Sequence, residues 1–260
     1  MKVIAGILCS LVLTACAPMN QPKVQPLTTA MDEEAMKAGE LRIAASALAS
    51  GDLDVAVSLY TKITASRPEI IPAWLGLGDA MYLAGDITQA RRAYESVLQR
   101  DPVQLDAMLG LARMDIRQRR FPQAIERYNA ILQQRADHSL ALAGLGVAYD
   151  LSGNATMAQE AYRRGLSTHP DDPALRSNLG LSLTLSGKPR EGVNVLLDVM
   201  GVPAALPQGR QNLAMAYALM GRDDAAESIL LGDMPRTNVQ DNLEFYAEVR
   251  RRMPGLSASK

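Results

Sequence analysis

The chain has 260 residues, 48% of them hydrophobic, enough to bury a large core and too many for a disordered protein. Its 27 basic and 28 acidic side chains leave a net charge of -1, so no global field draws nucleic acid, and the composition argues against nucleic acid as a partner. Aromatic residues make up only 4% while Ala, Leu and Gly abound, which predicts an all-α fold; the two cysteines, Cys9 and Cys16, both sit near the N-terminus and exclude a disulfide, zinc site or thiol nucleophile in the body.

Lys2 precedes an apolar run from Val3 to Ala15. The run is too short to cross a bilayer core of about 30 Å as a helix and reads as a secretory signal peptide over residues 1–15. It ends Leu13-Thr14-Ala15-Cys16. This sequence resembles the bacterial lipobox, and the resemblance implies that Cys16 is acylated, becomes the new N-terminus and serves as the lipidation site. Ala17 follows, where many lipoproteins kept at the inner membrane carry Asp, so the resemblance also implies an outer-membrane anchor with a periplasmic body. Residues 16–33, with Pro18, Pro22 and Pro26 among polar side chains, form a tether. Its reach is at most roughly 50 to 60 Å.

From residue 34 to 240 the sequence repeats with a period of 34. Glycines recur at Gly51, Gly85, Gly153, Gly187 and Gly221, with Arg119 in the one gap. Ala56, Ala90, Ala124, Ala158 and Ala226 keep the same step, as do Tyr60, Tyr94, Tyr128 and Tyr162, and Pro68, Pro102 and Pro170. In the second unit Trp74, Leu77, Gly78, Gly85, Ala90, Tyr94 and Pro102 fall at the signature positions of the tetratricopeptide repeat, which the chain therefore resembles. The resemblance implies a right-handed α-solenoid of about six helix-turn-helix units. Conformity decays in the fifth unit, where Gly192, Leu196 and Ala204 replace Ala, the aromatic and Pro, as is usual near the end of a stack. Residues 241–260 read as a capping helix and tail, with Leu243, Tyr246 and Val249 at helical spacing.

Small residues on the first helices (Ala44, Gly78, Ala112, Gly146, Gly180, Ala214) are expected to face small residues on the second (Ala56, Ala90, Ala124, Ala158, Gly192, Ala226), letting the backbones approach. Gly76 is expected to face the groove. The run Arg113, Arg117, Arg119 and Arg120 reads as a solvated face.

Catalysis finds no foothold in the sequence. The body holds only His138 and His169, each beside an inter-repeat turn, and no GxxxxGK[ST], HExxH or GxSxG occurs. We therefore expect no enzyme, no cofactor and no metal. What remains is a surface: in the repeat the first helices line a groove that takes an extended or helical peptide. By motif position this protein-binding groove includes Asp79, Tyr82, Arg113, Val147, Asp150, Asn178, Leu181, Asn212 and Met215. Asn178 and Asn212, at equivalent places in adjacent units, resemble the asparagine ladder with which some of these superhelices hold a peptide backbone; a local helix-helix hydrogen bond is the alternative.

The last third carries a closer likeness: Arg176-Ser177-Asn178-Leu179-Gly180-Leu181-Ser182, then Arg210-Gln211-Asn212-Leu213-Ala214-Met215-Ala216-Tyr217, then Gly221-Arg222 and Ala225-Ala226-Glu227. These segments resemble the TadD family of tight-adherence (Flp) pilus assembly lipoproteins. That resemblance implies an accessory role at the outer membrane, with other proteins as partners and a pilus secretin first among them. PilF-type pilotins, BamD-type assembly lipoproteins and lipid-tethered scaffolds for cell-wall enzymes share the architecture.

Overall fold

A computed structural model describes residues 30–200 and 207–253. The expected signal peptide, Cys16 and Ala204 lie outside the described residues. Residues 1–39 and 40–260 separate into two compact units, and the repeats occupy the second.

The described residues form thirteen α-helices and no strand. They pair as α1 (Ala30–Ser50) with α2 (Leu53–Ser66), α3 (Ile71–Ala84) with α4 (Ile87–Leu98), and α5 (Leu105–Arg117) with α6 (Phe121–Gln134). Then come α7 (Ser139–Leu151) with α8 (Ala155–Thr168), α9 (Pro173–Leu185) with α10 (Pro189–Met200), and α11 (Pro207–Leu219) with α12 (Asp223–Leu230). The last helix, α13 (Arg236–Arg252), packs on both α11 and α12 and closes the stack. Neighbouring first helices touch directly, α3 with α5, α5 with α7, α7 with α9 and α9 with α11, so they form one continuous face.

Turn chemistry explains the regular pairing. All five register glycines adopt a positive φ, from 79° to 88°, where a side chain would be strained. At Gly85 the chain leaves α3, and Asp86 then accepts the backbone N–H of Gln89 at 3.0 Å to start α4. The third unit has Arg119 at that place, with φ 58° and its guanidinium 5.8 Å from the Phe121 ring. A non-glycine residue held there costs about 1 to 2 kcal/mol.

The expected small-on-small interlock is accompanied by rings seated on glycines. Ala44 with Ala56, Ala112 with Ala124 and Ala214 with Ala226 are fully buried in shared clusters. The meeting of Gly180 and Gly192 also conforms to the interlock, since a Cβ on Gly192 would stand 2.7 Å from the carbonyl oxygen of Gly180. Elsewhere the first-helix glycine makes room for a ring. A Cβ on Gly78 would lie 2.6 Å from Tyr94 Cε1, and one on Gly146 would strike the Tyr162 ring. Gly76, Gly110 and Gly144 do the same for Tyr60, Tyr94 and Tyr128 of the preceding unit. Gly76 is thus buried against a ring. Each tyrosine is buried between two units, a burial that contributes about 2 to 3 kcal/mol.

The arginine run is more than a solvated face. Asp115 is 2% exposed and stands in the register of Met81 and Tyr149. Its Oδ1 accepts from Arg91 at 3.0 Å and from Arg120 at 2.6 Å, and its Oδ2 accepts from Arg127 at 2.9 Å. Burial alone would raise this carboxyl; the three guanidinium hydrogen bonds outweigh it and hold Asp115 below the usual carboxylate range. The knot ties α4, α5 and α6 together in the unit that lacks a turn glycine.

Candidate functional site

The first-helix face carries two adjoining depressions. One, of about 320 Å³, runs from Asp79 on α3 past Leu109 and Arg113 on α5 to Leu140 and Val147 on α7. The other, of about 500 Å³, lies between α7 and α9, walled by Leu151, Leu181 and Leu185 with Asp150 at its side. Val147 and Asn178 line both, so the two form one groove across the second to fifth units. Its walls include exposed apolar side chains: Leu140 is 64% exposed and Leu151 53%.

Two of the tyrosines that lock the repeats, Tyr128 and Tyr162, also line the groove. Tyr94 donates its hydroxyl to Asp79 Oδ1 at 2.7 Å, and Arg113 reaches the same oxygen at 3.1 Å. One unit pair further on, Tyr162 donates to Asp150 Oδ2 at 3.0 Å while Ser182 donates to Oδ1 at 2.7 Å. Burial, reinforced by Asp79 and Asp150 respectively, keeps the Tyr94 and Tyr162 hydroxyls protonated, and burial pushes Tyr128 up to about 12. These phenols are donors at any working pH.

The two aspartates differ in their surroundings. Asp79 has an arginine beside it, whereas Asp150 has hydroxyl partners only, and no cation of the described residues lies within ion-pair reach. Burial raises the Asp150 carboxyl above the usual range, and the two hydroxyl donors pull it only partly back.

Six of the nine groove residues expected from the sequence line these depressions: Asp79, Arg113, Val147, Asp150, Asn178 and Leu181. Tyr82 lies to one side, under the guanidinium groups of Arg113 at 5.7 Å and Arg117 at 5.5 Å. Met215 packs against the closing cluster of α11 to α13. Asn212 donates to Ser177 Oγ at 3.0 Å, the local helix-helix bond, while Asn178 lies open in the groove. The two asparagines occupy one register but not one role.

Reasoning from sequence missed Tyr128, Leu140, Leu151 and Leu185 as groove lining. A signal existed for the tyrosines: Gly76, Gly110 and Gly144 each follow a register tyrosine by a constant interval, the mark of a ring seated on a glycine. His138 accepts the N–H of Ala141 at 3.4 Å at the start of α7, and His169 ends α8; both are cap residues. Among the described residues no group of three His, Cys, Asp or Glu is placed to hold a metal, and no helix is long and apolar enough to cross a membrane.

Models of the tetratricopeptide repeat match residues 41–102, 81–145 and 115–181, together more than half of the chain. The chain belongs to the tetratricopeptide repeat family. No curated protein matches it by sequence. Among solved structures, a tetratricopeptide repeat protein from Parabacteroides merdae is 14% identical with a TM-score of 0.68, over 81% of this chain and 84% of that one. PilF of Pseudomonas aeruginosa is 14% identical with a TM-score of 0.68, over 84% of this chain and 99% of its own. A chain of the APC/C Cut9-Hcn1 hetero-tetramer is 22% identical with a TM-score of 0.67, over 87% of this chain and 47% of that one. At these identities the likeness is one of fold. As a tetratricopeptide repeat chain, the protein is a scaffold for protein-protein interaction.

Proposed function

We propose that the protein is an outer-membrane-anchored periplasmic lipoprotein that holds a component of a Flp/Tad pilus assembly, with the secretin ring as its client. The observation that carries the reading is the continuous apolar groove from Asp79 to Leu185, whose exposed leucines call for a partner protein. Three further features support it. Leu13-Thr14-Ala15-Cys16 supplies an anchor, the repeats from Arg176 to Glu227 resemble those of TadD, and PilF shares the fold over nearly its whole length.

A photo-crosslinking residue at Val147, in the shared wall of both depressions, tests the proposal in cells. Trapping of a secretin is the expected result. Trapping of a cell-wall enzyme or of an outer-membrane assembly factor instead would move the protein to one of the other lipoprotein classes, of which the PilF-type pilotin has a solved relative of this fold.

A further inference from the structure

We propose that the depression between α7 and α9 is a subsite for a lysine or arginine side chain flanked by aliphatic residues, so that the partner segment is basic and apolar rather than acidic. The inference rests on the groove being the protein-binding surface and specifies what that surface reads.

Charge and apolar surface are combined here in a way that the rest of the groove does not repeat. Both oxygens of Asp150 are fixed, one by Tyr162 and one by Ser182, so the carboxylate is oriented before any ligand arrives. Each oxygen keeps a lone pair for a further donor. Hydroxyl donors orient a negative charge without cancelling it, and Asp150 is the sole charged residue in the lining of this depression. The wall is aliphatic: Val147, Leu151, Leu181 and Leu185. Over the whole groove the lining acids Asp79, Asp106 and Asp150 face a single lining cation, Arg113, whose charge is already turned to Asp79. An acidic segment would meet repulsion. A basic side chain would lay its methylenes on the leucines and deliver its charge to Asp150, ending the cost of a half-buried carboxylate without a counter-ion.

The test is a phage-displayed library of random dodecapeptides panned on the full chain in detergent, in parallel with Asp150→Asn. The asparagine keeps its shape, its one carbonyl oxygen accepting from one of the two hydroxyls while its NH2 donates to the other, which turns from donor to acceptor, and circular dichroism checks that it is folded. Wild type is expected to enrich peptides with Lys or Arg beside aliphatic residues, and these should bind Asp150→Asn about ten-fold more weakly. Their Lys→Gln counterparts should bind the two proteins equally. Leu181→Lys, which puts an ammonium into the same depression while leaving the hydroxyl bonds alone, should give the same loss by a second route. Aliphatic peptides without basic enrichment would overturn the subsite and keep the groove. Peptides whose binding neither variant alters would overturn the groove reading as well.

Discussion

The Tyr94 hydroxyl meets Asp79 Oδ1 at 2.7 Å in the groove, while its ring fills the space that a side chain on Gly78 or Gly110 would need. One residue thus joins two repeats and shapes the surface they present. The stability of the stack and the chemistry of the groove are coupled through these tyrosines.

The first prediction follows from that seating. Alanine raises helix propensity over glycine by about 1 kcal/mol, yet Gly144→Ala and Gly146→Ala each drive a Cβ into a ring wedged between helices. Overpacking of this kind costs about 1 to 3 kcal/mol, so the clash should win and both variants should melt at lower urea. Gly76→Leu, next to Tyr60, should be as damaging as Gly146→Leu. Combining Gly144→Ala with Tyr128→Leu should cost less than the sum of the two, and strict additivity would mean that the ring does not seat on Gly144.

The second concerns Asp115. Removing the carboxylate with Asp115→Ala leaves three guanidinium groups facing one another and should cost about 3 kcal/mol. Because the folded carboxyl lies below its unfolded value, the unfolded state binds more protons as pH falls. The stabilisation is full above the ordinary carboxylate range and is lost as pH drops through the folded value. Urea midpoints of wild type and Asp115→Asn should therefore differ at pH 7 and converge in acid. A gap that is constant down to pH 3 would contradict the knot.

Asp150 has the opposite sign. Its folded carboxyl is raised, so ionising it weakens the fold as pH rises through the folded value, and the penalty is absent below the unfolded one. Asp150→Asn should be at least as stable as wild type at pH 7, with the difference vanishing in acid. A variant markedly less stable at pH 7 would show that the carboxylate is there to hold the helices together.

The anchor is tested at Cys16. Without acyl chains a polar tether has no membrane affinity, so Cys16→Ser should give an unprocessed or soluble product. Equal amounts of both proteins in the outer-membrane fraction would end the lipoprotein reading.

Much of the fold was legible because one physical requirement recurs at a fixed interval. A left-handed turn at Gly51, Gly85, Gly153, Gly187 and Gly221 and a ring at Tyr60, Tyr94, Tyr128 and Tyr162 leave a pattern in one dimension. The inner lining was legible only in part. Motif position places a residue on a helix face, but whether Asn212 looks into the groove or back at Ser177 depends on which hydroxyl the neighbouring helix offers. The Asp115 knot joins α4, α5 and α6, and no period of 34 encodes it, since the third unit alone puts an acid at that buried position.

The central claim, that the groove holds the partner, is tested most directly by a pull-down of the secretin from detergent-solubilised envelopes. Wild type is compared with Leu181→Lys in the groove and with Glu126→Lys/Glu160→Lys on exposed positions of the second helices, each checked by circular dichroism. Wild type and the second-helix control should recover the secretin alike. Leu181→Lys, which removes an apolar wall residue and sets an ammonium beside Asp150, should lose it while remaining folded. Full recovery by a folded Leu181→Lys would contradict the account.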